Sequence, residues 1–209
     1  MKLKVKLQKM TIYSLMTVIS CLPRRVSGWI GGYIGFLNLK FQTRSAKVTR
    51  TNIDLCLPEL SSAERSRLVV ESLMNTGKNF METPAAWMGS FGRISSWIKH
   101  VENREVLDLA YAQGQGVVVI LPHLGNWELF NVYYSQHPAG EMAALYQPPA
   151  KLYLQSIMAE IRGRFGNEIV PTTRKGITRL YRCLGDGGVV TILPDQVPET
   201  GDYVSFFGK

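Results

Sequence analysis

Val117-Val118-Val119-Ile120-Leu121-Pro122, followed by His123, has a near copy further along the chain. That copy is Val189-Val190-Thr191-Ile192-Leu193-Pro194, followed by Asp195. Each is a β-branched, apolar run of strand length behind a glycine-containing turn. Continuous apolarity, rather than alternation, is what a parallel strand covered on both faces requires. A helical pattern precedes each run. Asn103 opens one through Val106, Leu107 and Ala110 to a stop at Gly114. In the other, Arg174–Leu184, residues Ile177, Leu180, Tyr181 and Leu184 fall at i, i+3, i+4 and i+7, with Gly185 just beyond. Helix-then-strand order, twice over, predicts an α/β fold with a mostly parallel central sheet flanked by helices. If both runs share that sheet, His123 and Asp195 emerge at its carboxyl edge, where open α/β sheets place ligand chemistry.

The segment that leaves the first run is His123-Leu124-Gly125-Asn126-Trp127-Glu128. An imidazole can take a proton from a hydroxyl nucleophile near neutral pH. A carboxylate on its second nitrogen fixes the tautomer and stabilises the imidazolium. Positions five apart on one helix point about 140° away from each other. The pair therefore requires His123 in a loop and Glu128 in a first helical turn, with Gly125 making the bend and Asn126 as cap. The competing reading is a buried histidine bonded to backbone, with Glu128 a surface acid at a helix start. Spacing alone leaves both open.

Outward from this centre the charge is uneven. The chain has 209 residues and a formal net charge of +8, yet residues 1–50 hold ten Lys+Arg and no Asp or Glu. The rest is close to neutral. This argues against uniform polybasic nucleic-acid binding, and no nucleic-acid partner is expected. Met10–Leu22 is an uncharged run of 13 residues ending at Pro23-Arg24-Arg25, shorter than the roughly 20 apolar residues of a spanning helix. Val26–Leu39 follows, with Trp29, Tyr33 and Phe36 among four glycines, and then Lys40, Arg44, Lys47 and Arg50. Aromatic, apolar helices flanked by cations suit the headgroup level of an anionic membrane surface. Residues 1–50 are accordingly expected to be a membrane-associating helical arm, and 51–209 the α/β domain. Helices packed on the domain with solvated basic ends are the alternative. Ser61 and Glu64 form a capping box, opening a helix from about Ala63 towards Phe80, before Pro84 interrupts. Cys21, Cys56 and Cys183 share no motif spacing, which excludes a disulfide scaffold; buried packing roles are expected for them.

Taken together, these segments resemble the late acyltransferases of lipid A biosynthesis, the lauroyl and myristoyl transferases of Gram-negative bacteria. Arg50-Thr51-Asn52-Ile53 through Pro58-Glu59-Leu60 is similar to the family's R-x-N-L…F-P-E-L element. His123 to Glu128 is similar to its H-x4-D/E motif, and Ile161-Arg162-Gly163-Arg164-Phe165-Gly166 to its R-x-R element. Gly188–Pro198 and Phe206-Phe207-Gly208 resemble two further stretches. The resemblance implies transfer of a fatty acyl group from acyl carrier protein to a hydroxyl of an acylated lipid A precursor. The reaction would take place at the cytoplasmic face of the bacterial inner membrane.

It further implies His123 as general base supported by Glu128. Arg162 and Arg164 become candidates for lipid phosphate or oxyanion contact, bidentate guanidinium chemistry suiting that role. Asp195 would orient an arginine or shape the site, and Asn126 joins the substrate-binding candidates. Neither a metal nor a cofactor is implied. Gln147 stands where many relatives carry arginine, and the family usually continues past the equivalent of Lys209, so a C-terminally incomplete chain is expected. Two other readings share the sequence: an acyltransferase acting on a different glycolipid or on glycerol phosphate, and a non-catalytic membrane or carrier-protein adaptor.

Overall fold

The computed structural model describes residues 2–136, 141–149, 151–195, 205, 207 and 208. Its first half is helical: α1 (Lys2–Cys21), α2 (Arg24–Lys40), α3 (Arg44–Cys56) and α4 (Ser62–Met88). Pro23 is the N-cap of α2, a place where its missing N–H costs nothing. The Ser61–Glu64 capping box is present, with the Ser61 N–H donating to Glu64 Oε2 at 2.8 Å and the Glu64 N–H to Ser61 Oγ at 3.3 Å. Contrary to the sequence expectation, α4 runs through Pro84 to Met88. Proline removes one hydrogen bond, but Met81, Glu82, Ala85 and Ala86 around it are buried, and packing holds the turn.

Glycine decides how α2 meets α4. A Cβ on Gly31 would strike the Gly77 carbonyl, one on Gly35 the Leu73 carbonyl, and one on Gly77 the Gly31 carbonyl. Only residues without a side chain let two helix backbones approach this closely. The consequence is an inverted amphipathic helix. Ser27, Gly31, Gly32 and Gly35 of α2 face inward, while Trp29, Tyr33 and Phe36 face out. The N-terminal helices are tied to the rest by Arg24, which pairs with Glu82 at 3.0 Å. Arg93 adds donations to the Ser20 and Leu22 carbonyls at 2.5 and 2.9 Å. Among the described residues, no helix is long and apolar enough to cross a membrane.

The second half alternates helix and strand: α5 (Phe91–Ser95), α6 (Arg104–Ala112), β1 (Val117–Ile120), α7 (Leu129–Tyr134), β2 (Met142–Tyr146), α8 (Leu152–Arg162), β3 (Glu168–Pro171), α9 (Arg174–Gly185) and β4 (Val189–Ile192). The strands form one parallel sheet in the order β1-β4-β2-β3. On one face Leu180 and Cys183 of α9 pack on Ala143, Val170 and Val190. On the other, Met142 and Val189 pack with Tyr134, Leu107 and Phe130.

The two look-alike runs are direct neighbours, β1 beside β4, but they are not equivalent. β4 is buried through Thr191. β1 is an edge strand, and Val118 and Ile120 are exposed, so the expectation of cover on both faces holds for β4 alone. Asn103 precedes α6 as predicted, though in the left-handed region at φ 52° and without a side-chain cap bond. Of the cysteines only Cys183 is buried; Cys21 is exposed and Cys56 half-buried.

Candidate active site

Parallel pairing in register carries the decisive geometry. Ile120 lies opposite Ile192, and Leu121 extends the ladder by donating to the Ile192 carbonyl at 2.9 Å. Three residues beyond each partner, His123 and Asp195 therefore arrive side by side. Asp195 holds the histidine at two points: Oδ1 lies 2.7 Å from His123 Nδ1, and Oδ2 accepts the His123 main-chain N–H at 2.6 Å. Burial pushes the Asp195 carboxyl up, but the hydrogen bonds from the His123 side chain and backbone outweigh it and hold the group below its ordinary value. A carboxylate on Nδ1 favours the tautomer with its proton there and leaves the Nε2 lone pair free to accept one.

After His123 the chain turns through Gly125, whose φ of +61° lies in the left-handed region. The helix begins two residues later than an Asn126 cap would require, because the turn closes with Leu129 N–H donating to the Asn126 carbonyl at 3.1 Å. Asn126 is half-buried with its amide atoms enclosed, and neither Nδ2 nor Oδ1 has a hydrogen-bond partner among the described residues. Trp127 sets its ring edge-on to the His123 imidazole, with centroids 5.2 Å apart.

Glu128 differs from the sequence expectation. Oε1 of its carboxylate accepts from Arg162 Nη2 at 2.5 Å rather than from His123, and Oε2 has no partner among the described residues. The reason is rotation. Glu128 sits at the mouth of α7 in helical conformation, which turns its side chain inward, away from the loop that carries His123. Arg162, at the end of α8, enters that interior with its guanidinium 5.1 Å from the Trp127 ring and 5.9 Å from the Trp87 ring. It is thus a largely enclosed cation, neutralised by Glu128 and stacked on aromatic faces.

Arg164, an exposed side chain, donates to the carbonyls of Trp87 and of Gly89 (the latter at 3.3 Å), closing the end of α4. Gln147 accepts a hydrogen bond from Thr172. Residues 196–198 and Phe206 of the resemblance lie outside the described residues. Sequence reasoning passed over Trp87 and Trp127 as walls of the site, and Asn167. Buried, Asn167 donates to the Asn131 carbonyl at 3.0 Å and pins α7 beside β3. The tryptophan inside the H-x4-E motif was the signal available for the first of these.

The sequence model of the bacterial lipid A biosynthesis acyltransferases matches residues 4–209. The chain belongs to that family. It is 29% identical over 191 residues to the lipid A biosynthesis lauroyltransferase of Escherichia coli K12, covering 89% of this chain and 60% of that protein. To the lipid A biosynthesis palmitoleoyltransferase of the same organism it is 28% identical over 175 residues, 84% of this chain and 56% of the relative. A phosphatidylinositol mannoside acyltransferase of Mycobacterium tuberculosis is 32% identical over 108 residues, 49% of this chain and 34% of the relative. The chain therefore spans a little over half the length of the lipid A acyltransferases it matches.

Proposed function

We propose that the protein transfers a fatty acyl group from an acyl carrier protein thioester to a hydroxyl of an acylated lipid A precursor. The observation that carries this reading is the two-point grip of Asp195 on His123, which leaves Nε2 as the open nitrogen at the sheet's carboxyl edge. In the reaction, Nε2 removes the acceptor's hydroxyl proton as the oxygen attacks the thioester carbonyl carbon. The C–O bond forms, the tetrahedral intermediate collapses, the C–S bond breaks, and the imidazolium returns its proton to the departing thiolate. Asp195 stabilises the imidazolium through Nδ1. Glu128 supports the base at one remove: it fixes Arg162, Arg162 stacks on Trp127, and Trp127 abuts the His123 ring. Asn126, whose enclosed amide atoms have no partner among the described residues, remains a substrate-binding candidate in this reading, available once the loop shifts to turn it outward. No cofactor enters the chemistry.

The N-terminal helices, residues 1–50, act as a membrane-associating arm on the 51–209 domain. Support comes from the outward aromatic face of α2, with Trp29 81% and Tyr33 62% exposed, next to an acid-free, cation-rich sequence. A helix with that face suits the headgroup region of an anionic leaflet; in this reading the enzyme works at the cytoplasmic face of the inner membrane. Deleting residues 1–39 should release it from membranes; retention of the deleted form would refute the arm.

Transfer is tested by incubating the purified protein with radiolabelled acyl carrier protein thioester and a lipid A precursor, then separating the lipids. Label in the lipid, lost in His123→Ala, is the expected result. Incorporation into a phosphatidylinositol mannoside instead would overturn the acceptor, and undiminished transfer by His123→Ala would overturn the mechanism.

A further inference from the structure

We infer that the outward face of α9 is the docking surface for an acidic carrier protein that delivers the acyl thioester. The inference rests on the transferase reading above and specifies its donor side. α9 has four cations, Arg174, Lys175, Arg179 and Arg182, and no acid in its 12 residues. Arg179 is spent internally, pairing with Glu141 and, at 2.7 Å, with Glu168, so the two acids beside the helix are already neutralised. Arg174, Lys175 and Arg182 are exposed, and none forms an ion pair among the described residues. The one acid at the helix's end is the exposed C-cap Asp186.

The arrangement runs against local electrostatics. Arg174 and Lys175 occupy the first turn, where the helix dipole disfavours positive charge, and no neighbour relieves it. An anionic partner would. Between the cations run apolar contacts: Arg174, Ile177 and Tyr181 follow at i, i+3 and i+7, with Ile177 40% and Tyr181 73% exposed. Lys175, Thr178 and Arg182 form the parallel row. A stripe of two apolar side chains bordered by cations matches an acidic, amphipathic helix in charge and in shape.

Position completes the argument. All four strands are parallel, so α9, which starts where β3 ends, opens at the same carboxyl edge as His123 and Asp195. Its first turn is pressed onto that edge, since a Cβ on Gly176 would strike the Pro171 carbonyl. β3 lies two strand steps from β4, a lateral distance of roughly 10 Å. A carrier seated on α9 holds a thioester on a flexible arm within reach of His123. The face has no tryptophan or phenylalanine, unlike the outward side of α2, which favours a protein partner over a bilayer.

The test is binding of purified acyl carrier protein to the unaltered protein and to Lys175→Glu/Arg182→Glu, followed by fluorescence anisotropy at low and high salt. A second variant, Tyr181→Ser, leaves the charge alone. The charge-reversal variant should weaken binding by at least about tenfold at low salt, with loss of the salt dependence. Tyr181→Ser should weaken it less and keep that dependence. Transfer from a small acyl-pantetheine thioester should be unchanged in both.

Equal binding by the charge-reversal variant, or no binding by the unaltered protein, overturns the proposal. So does loss of binding to anionic phospholipid vesicles with carrier binding intact, which would make α9 a membrane surface. Binding is scored without turnover. A protein that binds carrier through α9 yet transfers nothing overturns the transferase reading alone. One that transfers from the small thioester but ignores the α9 charges in carrier binding overturns the docking face alone.

Discussion

Two ionic pairs stand close together in this molecule and serve opposite ends. His123 and Asp195 keep 27% and 28% of their side chains exposed; Arg162 and Glu128 keep 13% and 4%. The first pair is partly open to solvent at the sheet edge, and Nε2 of the imidazole has no partner among the described residues. The second is flanked by Trp87 and Trp127 and is largely withdrawn from solvent. A buried ion pair is costly to break because the survivor is left as an unpaired charge, whereas a half-exposed group is rescued by water. Activity should therefore follow the first pair and stability the second.

The sharpest way to break this comparison is His123→Ala. Transfer should fall by about 10²–10⁴-fold, the contribution of a positioned proton acceptor, with little change in the thermal midpoint. A large drop in midpoint would mean that the open pair is structural after all. Next in size is Glu128→Ala, which strands the Arg162 guanidinium between two indoles. We expect roughly 3–5 kcal/mol of destabilisation, read from urea unfolding. Replacing both partners by apolar residues, Glu128→Leu/Arg162→Met, should recover much of that loss. If Glu128→Ala folds as stably as the unaltered protein, the enclosed pair is not what holds the loop.

A smaller effect is expected from Asp195→Asn, which keeps the shape and removes the charge: about 10²-fold in rate, the low end of the same range. Its stability cost depends on pH with a definite sign. The Asp195 carboxyl sits lower in the folded than in the unfolded chain, with the opposing cost of burial outweighed by the His123 hydrogen bonds. That contribution is present above the unfolded value and disappears as pH falls through the folded one. The stability gap between the unaltered protein and Asp195→Asn should thus narrow on acidification from about pH 6 to about pH 3. Denaturant midpoints across that range check it, and a gap that widens would refute the assignment.

The smallest contrast lies in the strands that feed the open pair. Val190→Thr in β4 buries a hydroxyl and should cost about 1–3 kcal/mol. Val118→Thr at the equivalent position of β1 should stay within about 0.5 kcal/mol, because that face is already wet.

How much of this was legible from residues alone follows the same division. The two apolar runs announced parallel strands and placed His123 and Asp195 at one edge, because β-branched continuity and helix-strand order are local properties. What they could not tell is that one run is central and the other marginal; Val118 and Val190 read alike and differ only in neighbours. The capping box at Ser61 was visible for the same local reason. The passage of α4 through Pro84 was not, since only burial around Met81 and Ala85 decides it. The H-x4-E spacing put Glu128 on His123, and the fold gave that place to Asp195, 72 residues away.

By itself, then, the sequence determined the chemistry that is available: an imidazole after a buried strand, carboxylates nearby, arginines in a short motif, a cationic and aromatic N-terminal stretch. Only the tertiary structure decided which charge answers which. In-register pairing of β1 with β4 joined His123 to Asp195, and the rotation of α7 turned Glu128 inward to Arg162. Partner choice among ionic groups is set by approach within a few ångströms and by exclusion of water. Neither quantity is a property of spacing along the chain.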